Sequence, residues 1–210
     1  MREKEKATRV IYVRHGETDF PINRIYCDGK EDPSLNSVGQ SQAKDAASYL
    51  ANLNVDAIYA SPCSRTDMTA NIIAGHHNIN IQFEDELVER NFGVWEGLYF
   101  EEIESQYPAL YKEWKENQAA FKPESGESVY DMSERVSRAV ERIIERHEEQ
   151  TVIVVSHVGP IRALVAQALC MPIEAYRRVS IDPASMSIID YGRSQNNLIL
   201  LNFHARHWGV

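Results

Sequence analysis

Cysteine is scarce: Cys27, Cys63 and Cys170 are the only three among 210 residues. They are odd in number, widely spaced and free of any Cys-x-x-Cys pair, which argues against a disulfide framework and a cysteine zinc site. Such a pattern suits a reducing compartment, so a cytoplasmic chain is expected. Long apolar runs are missing too. Runs such as Val152–Val155 and Leu198–Leu201 are strand-sized, far short of the roughly 20 residues a membrane helix needs. The opening Met1–Lys6 is charged, where a secretory signal would be apolar. Neither Gly-x-x-x-x-Gly-Lys nor Gly-x-Gly-x-x-Gly occurs, which removes support for nucleotide-hydrolase and dinucleotide readings.

Positive charge is also in deficit. Lys and Arg number 22 against 31 Asp and Glu, for a formal net charge of -9. A nucleic-acid-binding protein would normally show a basic face, so that partner is not expected. The same acidity opposes binding of an anionic metabolite unless positive charge gathers locally in a cleft. The positions of the arginines and histidines therefore carry the question.

Along the chain, strand and helix signals alternate. Thr8–Val13 is β-branched and apolar and predicts a buried strand ending at Arg14-His15-Gly16. A polar stretch from Asp19 to Asn36 reads as a functional loop. Val38–Leu53 has helical spacing, with Ala43, Ala46, Ala47 and Leu50 on one side. Asp56–Ala60 predicts a second strand, after which Ser61-Pro62 would open a helix through Ile73, with proline in its first turn. Ile79–Phe83 suggests a minor strand. Helical stretches are expected at Phe100–Asn117 and Ser128–Gln150. Thr151–Ser156 is the clearest buried strand, followed by His157 and a helix through Leu169. Ser185–Tyr191 and Asn197–Phe203 predict two late strands joined at Gly192. No repeat or boundary divides residues 1–210, so one domain of α/β class is expected: a largely parallel sheet with helices on both faces. The late run at Leu198–Leu201 suits an interior strand or a pairing edge, which leaves a homo-oligomer open.

Cationic residues recur at strand ends. Arg14 and His15 follow the first strand, Arg65 lies just past the second, and His157 follows the central one. Ligands of open α/β sheets bind outside the carboxyl ends of the strands, where helix N-termini favour anions. Two arginines and two histidines converging there would supply the local positive site that an acidic protein needs for a phosphate. Alone, each would be read as an ordinary surface residue.

These residues resemble the histidine phosphatase superfamily, which includes cofactor-dependent phosphoglycerate mutases and many small-molecule phosphatases. Arg14-His15-Gly16-Glu17-Thr18 is similar to its signature, and Ser61–Arg65 with Thr69-Ala70 to its second arginine motif. Leu87–Gly97 is similar to the segment carrying the acid, and Ser156-His157-Val158-Gly159 to the second histidine motif. The resemblance covers nearly the whole chain.

The resemblance implies His15 as nucleophile, since a neutral imidazole can attack phosphorus and split one displacement into two. Nearby arginines favour that neutral form. Arg14, Arg65 and His157 are implied to hold the phosphoryl oxygens. Glu89 is implied to be the acid that protonates the leaving oxygen and then the base that activates water; it stands among Glu84, Asp85 and Glu86, and only its spacing before Gly93–Gly97 singles it out. The Asn that family members carry soon after the first motif is displaced here, to Asn23 in Asp19–Arg24. Arg24 is either a substrate contact or a solvated loop residue. The resemblance implies neither metal nor cofactor.

The remaining histidines, His76, His77, His147, His204 and His207, read as structural or solvated; no carboxylate or cysteine stands beside the His204/His207 pair in sequence to complete a metal site. Leu98–Asn117 is short and rich in glutamate, where mutases are expected to carry a longer, arginine-bearing insertion. Pro123–Ser128 resembles the substrate-side loop of the phosphatase branch, including phosphatases of cobamide synthesis. The expected activity is thus hydrolysis of a small phosphorylated metabolite, with a phosphoglycerate mutase as the second reading and a catalytically silent phosphate-binding module as a third.

Overall fold

A computed structural model describes residues 6–21, 23–25 and 31–205. Expectations about Met1–Glu5, Ile22, Cys27 and His207 fall outside them. Within that span, six strands form one sheet in the order β3-β2-β4-β1-β5-β6. β1 (Ala7–Arg14), β2 (Ala57–Ala60), β3 (Ile81–Phe83) and β4 (Thr151–Ser156) are mutually parallel. β5 (Met186–Gly192) runs antiparallel to β1, and β6 (Asn196–Phe203) pairs antiparallel with β5 as the outer strand. The Leu198–Leu201 run therefore lies on an edge, not inside the sheet.

The central strands read as unbroken apolar runs because both of their faces are covered. Val10, Tyr12, Val152 and Val154 turn to one side, against α5 (Val129–Arg146) and α6 (Val158–Ala168). Ile11, Val13, Ile153 and Val155 turn to the other, against α1 (Ser37–Leu50) and α2 (Ser64–Ala74). A third, smaller cluster of Ile25, Trp95, Ile103, Trp114 and Phe121 lies beneath α3 (Phe100–Gln106) and α4 (Pro108–Glu116).

Two helix boundaries differ from expectation, each for a local reason. The stretch Phe100–Asn117 is two helices, because Pro108 cannot donate an N–H and its ring blocks the preceding turn; it starts α4 instead. Pro62 is not inside the first turn of α2, whose N-cap is Cys63. The cap comes from far away in sequence: Asp32 accepts from Ser64 N at 2.8 Å and from Ser64 Oγ at 2.6 Å. A carboxylate here meets both an unpaired N–H and the positive end of the helix.

The feature that builds the site is the register of β1 on β4. Arg14 stands opposite Ser156, so the two strands end level and the next residue of each, His15 and His157, emerges side by side. The main chain continues the pairing one step, with His15 N donating to Ser156 O at 3.0 Å.

Candidate active site

A cleft of about 760 Å³ opens at this end of the sheet, lined among others by Arg14, His15, Arg65, Glu89 and His157. The two imidazoles meet edge to face with centroids 5.3 Å apart. Gly16 is required beside them. A Cβ there would lie 2.4 Å from the Gly39 carbonyl oxygen, so any side chain would push the start of α1 away. Gly16 N instead donates to Thr69 Oγ1, whose hydroxyl donates to Arg65 O, tying the first motif to the second.

Hydrogen bonds fix both histidine tautomers. His15 Nδ1 lies 2.8 Å from Gly16 O; a carbonyl only accepts, so Nδ1 carries the hydrogen and Nε2 keeps its lone pair. Arg65 Nη2 lies 3.0 Å from His157 Nδ1; a guanidinium only donates, so that nitrogen accepts. His157 Nε2 then carries the hydrogen and donates to Ser61 Oγ at 2.8 Å. Burial, followed by the charges of Arg65 and Arg14, holds His15 well below the ordinary imidazole value. Burial, then Arg65, His15, Arg14 and Arg135, does the same for His157. Both rings are thus neutral bases near neutral pH.

The two expected arginines are held differently. Arg65 is wholly buried, with Asp32 3.5 Å from its Nη1 on the far side from His157. Arg14 gives Nη1 to Ile181 O, while its buried Nε has no hydrogen-bond partner among the described residues. A buried donor left unpaired costs about 1–3 kcal/mol, which an incoming phosphoryl oxygen would recover.

Glu89 separates cleanly from its acidic neighbours. Its Oε1 accepts from Arg90 N at 2.8 Å and its Oε2 from Gly159 N at 3.2 Å. A Cβ on Gly159 would lie 2.2 Å from Glu89 Oε1, so glycine is what lets the carboxylate reach the start of α6. Glu84 and Glu86 turn instead to Arg142 on α5, and Glu86 also to Arg138. Arg135 clamps the main chain of this segment, donating to the carbonyls of Glu86, Val88 and Glu89 while paired with Glu127. Neither Arg135 nor Asp32 was legible as a site support, because each acts across more than 30 residues of sequence.

Asn23 is not brought to the cleft. It is exposed, and its carbonyl accepts from Phe100 N. Asn36 lines the cleft instead, donating to Glu17 and Asp19. Arg24 also lines it, with Nε on Gly97 O and a two-pronged pair to Glu31.

Three further arginines line the same cleft: Arg90, Arg162 and Arg177. The glutamates of Leu98–Asn117 do not. The charge that the cleft draws from outside the four motifs therefore includes arginine.

His147 is partly buried, not solvent-facing. It caps α5, with Nε2 3.1 Å from Tyr59 Oη and Nδ1 2.7 Å from Gln150 Oε1. His204 does have a carboxylate beside it, Asp182 at 3.1 Å, yet no group of three metal-ligating side chains forms among the described residues. No helix among those residues is long and apolar enough to cross a membrane.

Residues 10–204 match the family profile of the histidine phosphatase superfamily (branch 1). Phosphoserine phosphatase 1 of Hydrogenobacter thermophilus is 35% identical over 92% of this chain and 92% of its own. The crystal structure of a putative α-ribazole-5′-P phosphatase from Escherichia coli superposes with a TM-score of 0.86 at 29% identity, covering 94% of this chain and 97% of that one. A mycobacterial glucosyl-3-phosphoglycerate phosphatase superposes with a TM-score of 0.82 at 26% identity, covering 93% and 99%. The chain belongs to the histidine phosphatase superfamily. Within it, the chain is a phosphomonoester hydrolase.

The neutral histidines yield a prediction. In a site-resolved NMR titration, the His15 and His157 rings should stay neutral as pH falls through about 6.5, the ordinary histidine value, and Arg65→Met should raise both midpoints. The unfolded chain takes up protons there and the folded one does not, so these two residues lower stability as pH falls below about 6.5 and cease to do so above it. Either ring titrating at the ordinary value would contradict the assigned environment.

Proposed function

We propose that the cleft hydrolyses a small phosphomonoester in two displacements, with the phosphoryl group held on His15 between them. The observation that carries this reading is the bare Nε2 of a buried, neutral His15 facing a cleft shared with Arg14, Arg65 and Glu89.

In the first step His15 Nε2 forms a bond to phosphorus as the bond to the leaving oxygen breaks. Glu89 gives that oxygen a proton. In the second step Glu89 takes a proton from water, whose oxygen attacks phosphorus and frees His15. Charge on the transferring group is met by Arg14 and Arg65 and by the positive end of α6, which is the role metal ions fill in other phosphoryl-transfer sites. No metal or cofactor enters this reading. His157 stands against His15 with one ring nitrogen engaged by Arg65 and the other by Ser61. It orients Arg65, and it meets the phosphoryl group only by giving up one of these bonds.

Hydrolysis is preferred to mutase chemistry because relatives along most of the chain are named as phosphatases, including phosphoserine phosphatase and α-ribazole phosphatase. A silent binding module would need neither an imidazole with its lone pair left open nor a carboxylate lining the same cleft. Residence in the cytoplasm belongs to the same reading, supported by the scarcity of cysteine and the lack of any Cys-x-x-Cys pair.

Rapid acid-free quenching during turnover should trap phosphate on His15, in a linkage stable to alkali and labile to acid. Wild-type turnover by His15→Ala would end the proposal. Glu89→Gln should slow hydrolysis of alkyl phosphates by about 10²–10⁴-fold, with a much smaller loss on an aryl phosphate whose leaving oxygen scarcely needs a proton. Equal losses on the two substrate types would move the acid's role to another group.

A further inference from the structure

We infer that Arg162, with Arg177 at the rim, forms a second anion subsite, so that the preferred substrate carries a carboxylate or second phosphate in its alcohol portion. This rests on the phosphatase reading and adds the substrate class.

The cleft arginines differ in how they are occupied. Arg65 is engaged by His157 and Asp32, and Arg24 by Glu31. Arg90 is almost fully buried and gives Nε and Nη2 to the carbonyls of Glu127 and Phe121, which is a structural role. Arg162 differs. Only its Nε is used, on Val179 O at 2.7 Å, and neither of its terminal nitrogens makes a hydrogen bond or ion pair among the described residues. Of the two carboxylates whose charge it feels, Glu89 is seated on backbone N–H groups and Asp182 is bound to Asn202 and His204. Arg177 is exposed at the cleft wall, bonded to Gln118 and lying over the Trp114 ring, without a carboxylate partner among the described residues.

A strut to Val179 needs one N–H and no charge. Two guanidinium groups lining one cleft without a carboxylate partner are a different matter in a protein where acids outnumber bases 31 to 22. Burial and the neighbouring charge of Arg177 lower the basicity of Arg162, as expected of like charges held together without a counter-ion.

Position says which part of the substrate they meet. Arg162 is three residues beyond Gly159 on α6, on the same helix face, and Gly159 N holds the Glu89 carboxylate. Arg162 thus stands on the side of the acid, where the leaving alcohol departs, while Arg14 and Arg65 serve the phosphoryl side. A guanidinium with two free terminal nitrogens matches a carboxylate or phosphate in two-pronged fashion.

The test compares kcat/KM for 3-phosphoglycerate with that for the glycerol phosphate carrying CH2OH in place of the carboxylate. A second pair, propane-1,3-diol bisphosphate and 3-hydroxypropyl phosphate, separates a second phosphate from a carboxylate. Wild-type enzyme should favour at least one acidic partner by about 10²-fold or more, since a site built for a polar group rejects the analogue lacking it. Arg162→Met should shrink that ratio by about tenfold or more, Arg162→Lys by less, because charge remains without the planar fork. Arg177→Met, at an exposed position that does not hold the fold together, should also shrink it. Equal kcat/KM within both pairs, or variants that slow acidic and neutral substrates alike, would overturn the subsite. Phosphohistidine forming without acid preference would remove the subsite alone; acid preference without phosphohistidine would remove the two-displacement reading alone.

Discussion

The parallel pairing of β1 with β4 is the constraint on which the site depends. Both strands are buried on two faces by apolar side chains that alternate between the α5/α6 layer and the α1/α2 layer. A slip of one residue would turn every one of these to the wrong layer, so the register is held by the whole core. Because that register sets Arg14 opposite Ser156, it also sets His15 beside His157. Catalytic geometry and core packing are here the same fact: the interdigitation that stabilises the sheet determines the distance between the two imidazoles.

From that placement the electrostatics follow. Side-by-side imidazoles at the end of a buried sheet, with Arg65 between one ring and Asp32, cannot readily take on protons. Desolvation and the arginines both disfavour it. A neutral His15 is what the proposed nucleophile must be, and the cations that keep it neutral are also the groups able to meet the charge of a phosphoryl group. The acidic protein as a whole resolves its conflict with an anionic substrate by gathering several arginines around one cleft. Supporting residues such as Asp32 and Arg135 bind the outer sides of this arrangement, one holding the start of α2 and the other the main chain beneath Glu89.

What could be read from the sequence were the features encoded locally. Buried strands announce themselves as β-branched runs, and His15, Arg65 and His157 were visible because each follows such a run or its turn. Glu89 was visible only through its likeness to a family motif; the physical reason for it, the Gly159 N–H and the space left by a missing Cβ, comes from a segment 70 residues away. The same distance hid Asp32, Arg135 and Arg162, which on their own helices or loops look like ordinary charged positions. The place of Asn23 after the first motif points to a cleft residue, but the loop's course puts Asn36 against the cleft and leaves Asn23 outside its lining. Pro108 shows the converse case, a local signal strong enough to split a helix that periodicity alone would have run through.

The central claim is that the phosphoryl group moves twice, first to His15 and then to water. The stereochemistry at phosphorus tests it most directly. Each in-line displacement inverts the phosphorus centre, so two in succession restore it. A phosphorothioate monoester made chiral at phosphorus with two oxygen isotopes, hydrolysed in water carrying the third, should yield inorganic thiophosphate with net retention of configuration. Net inversion would mean a single direct attack by water and would contradict the account, whatever role His15 then kept.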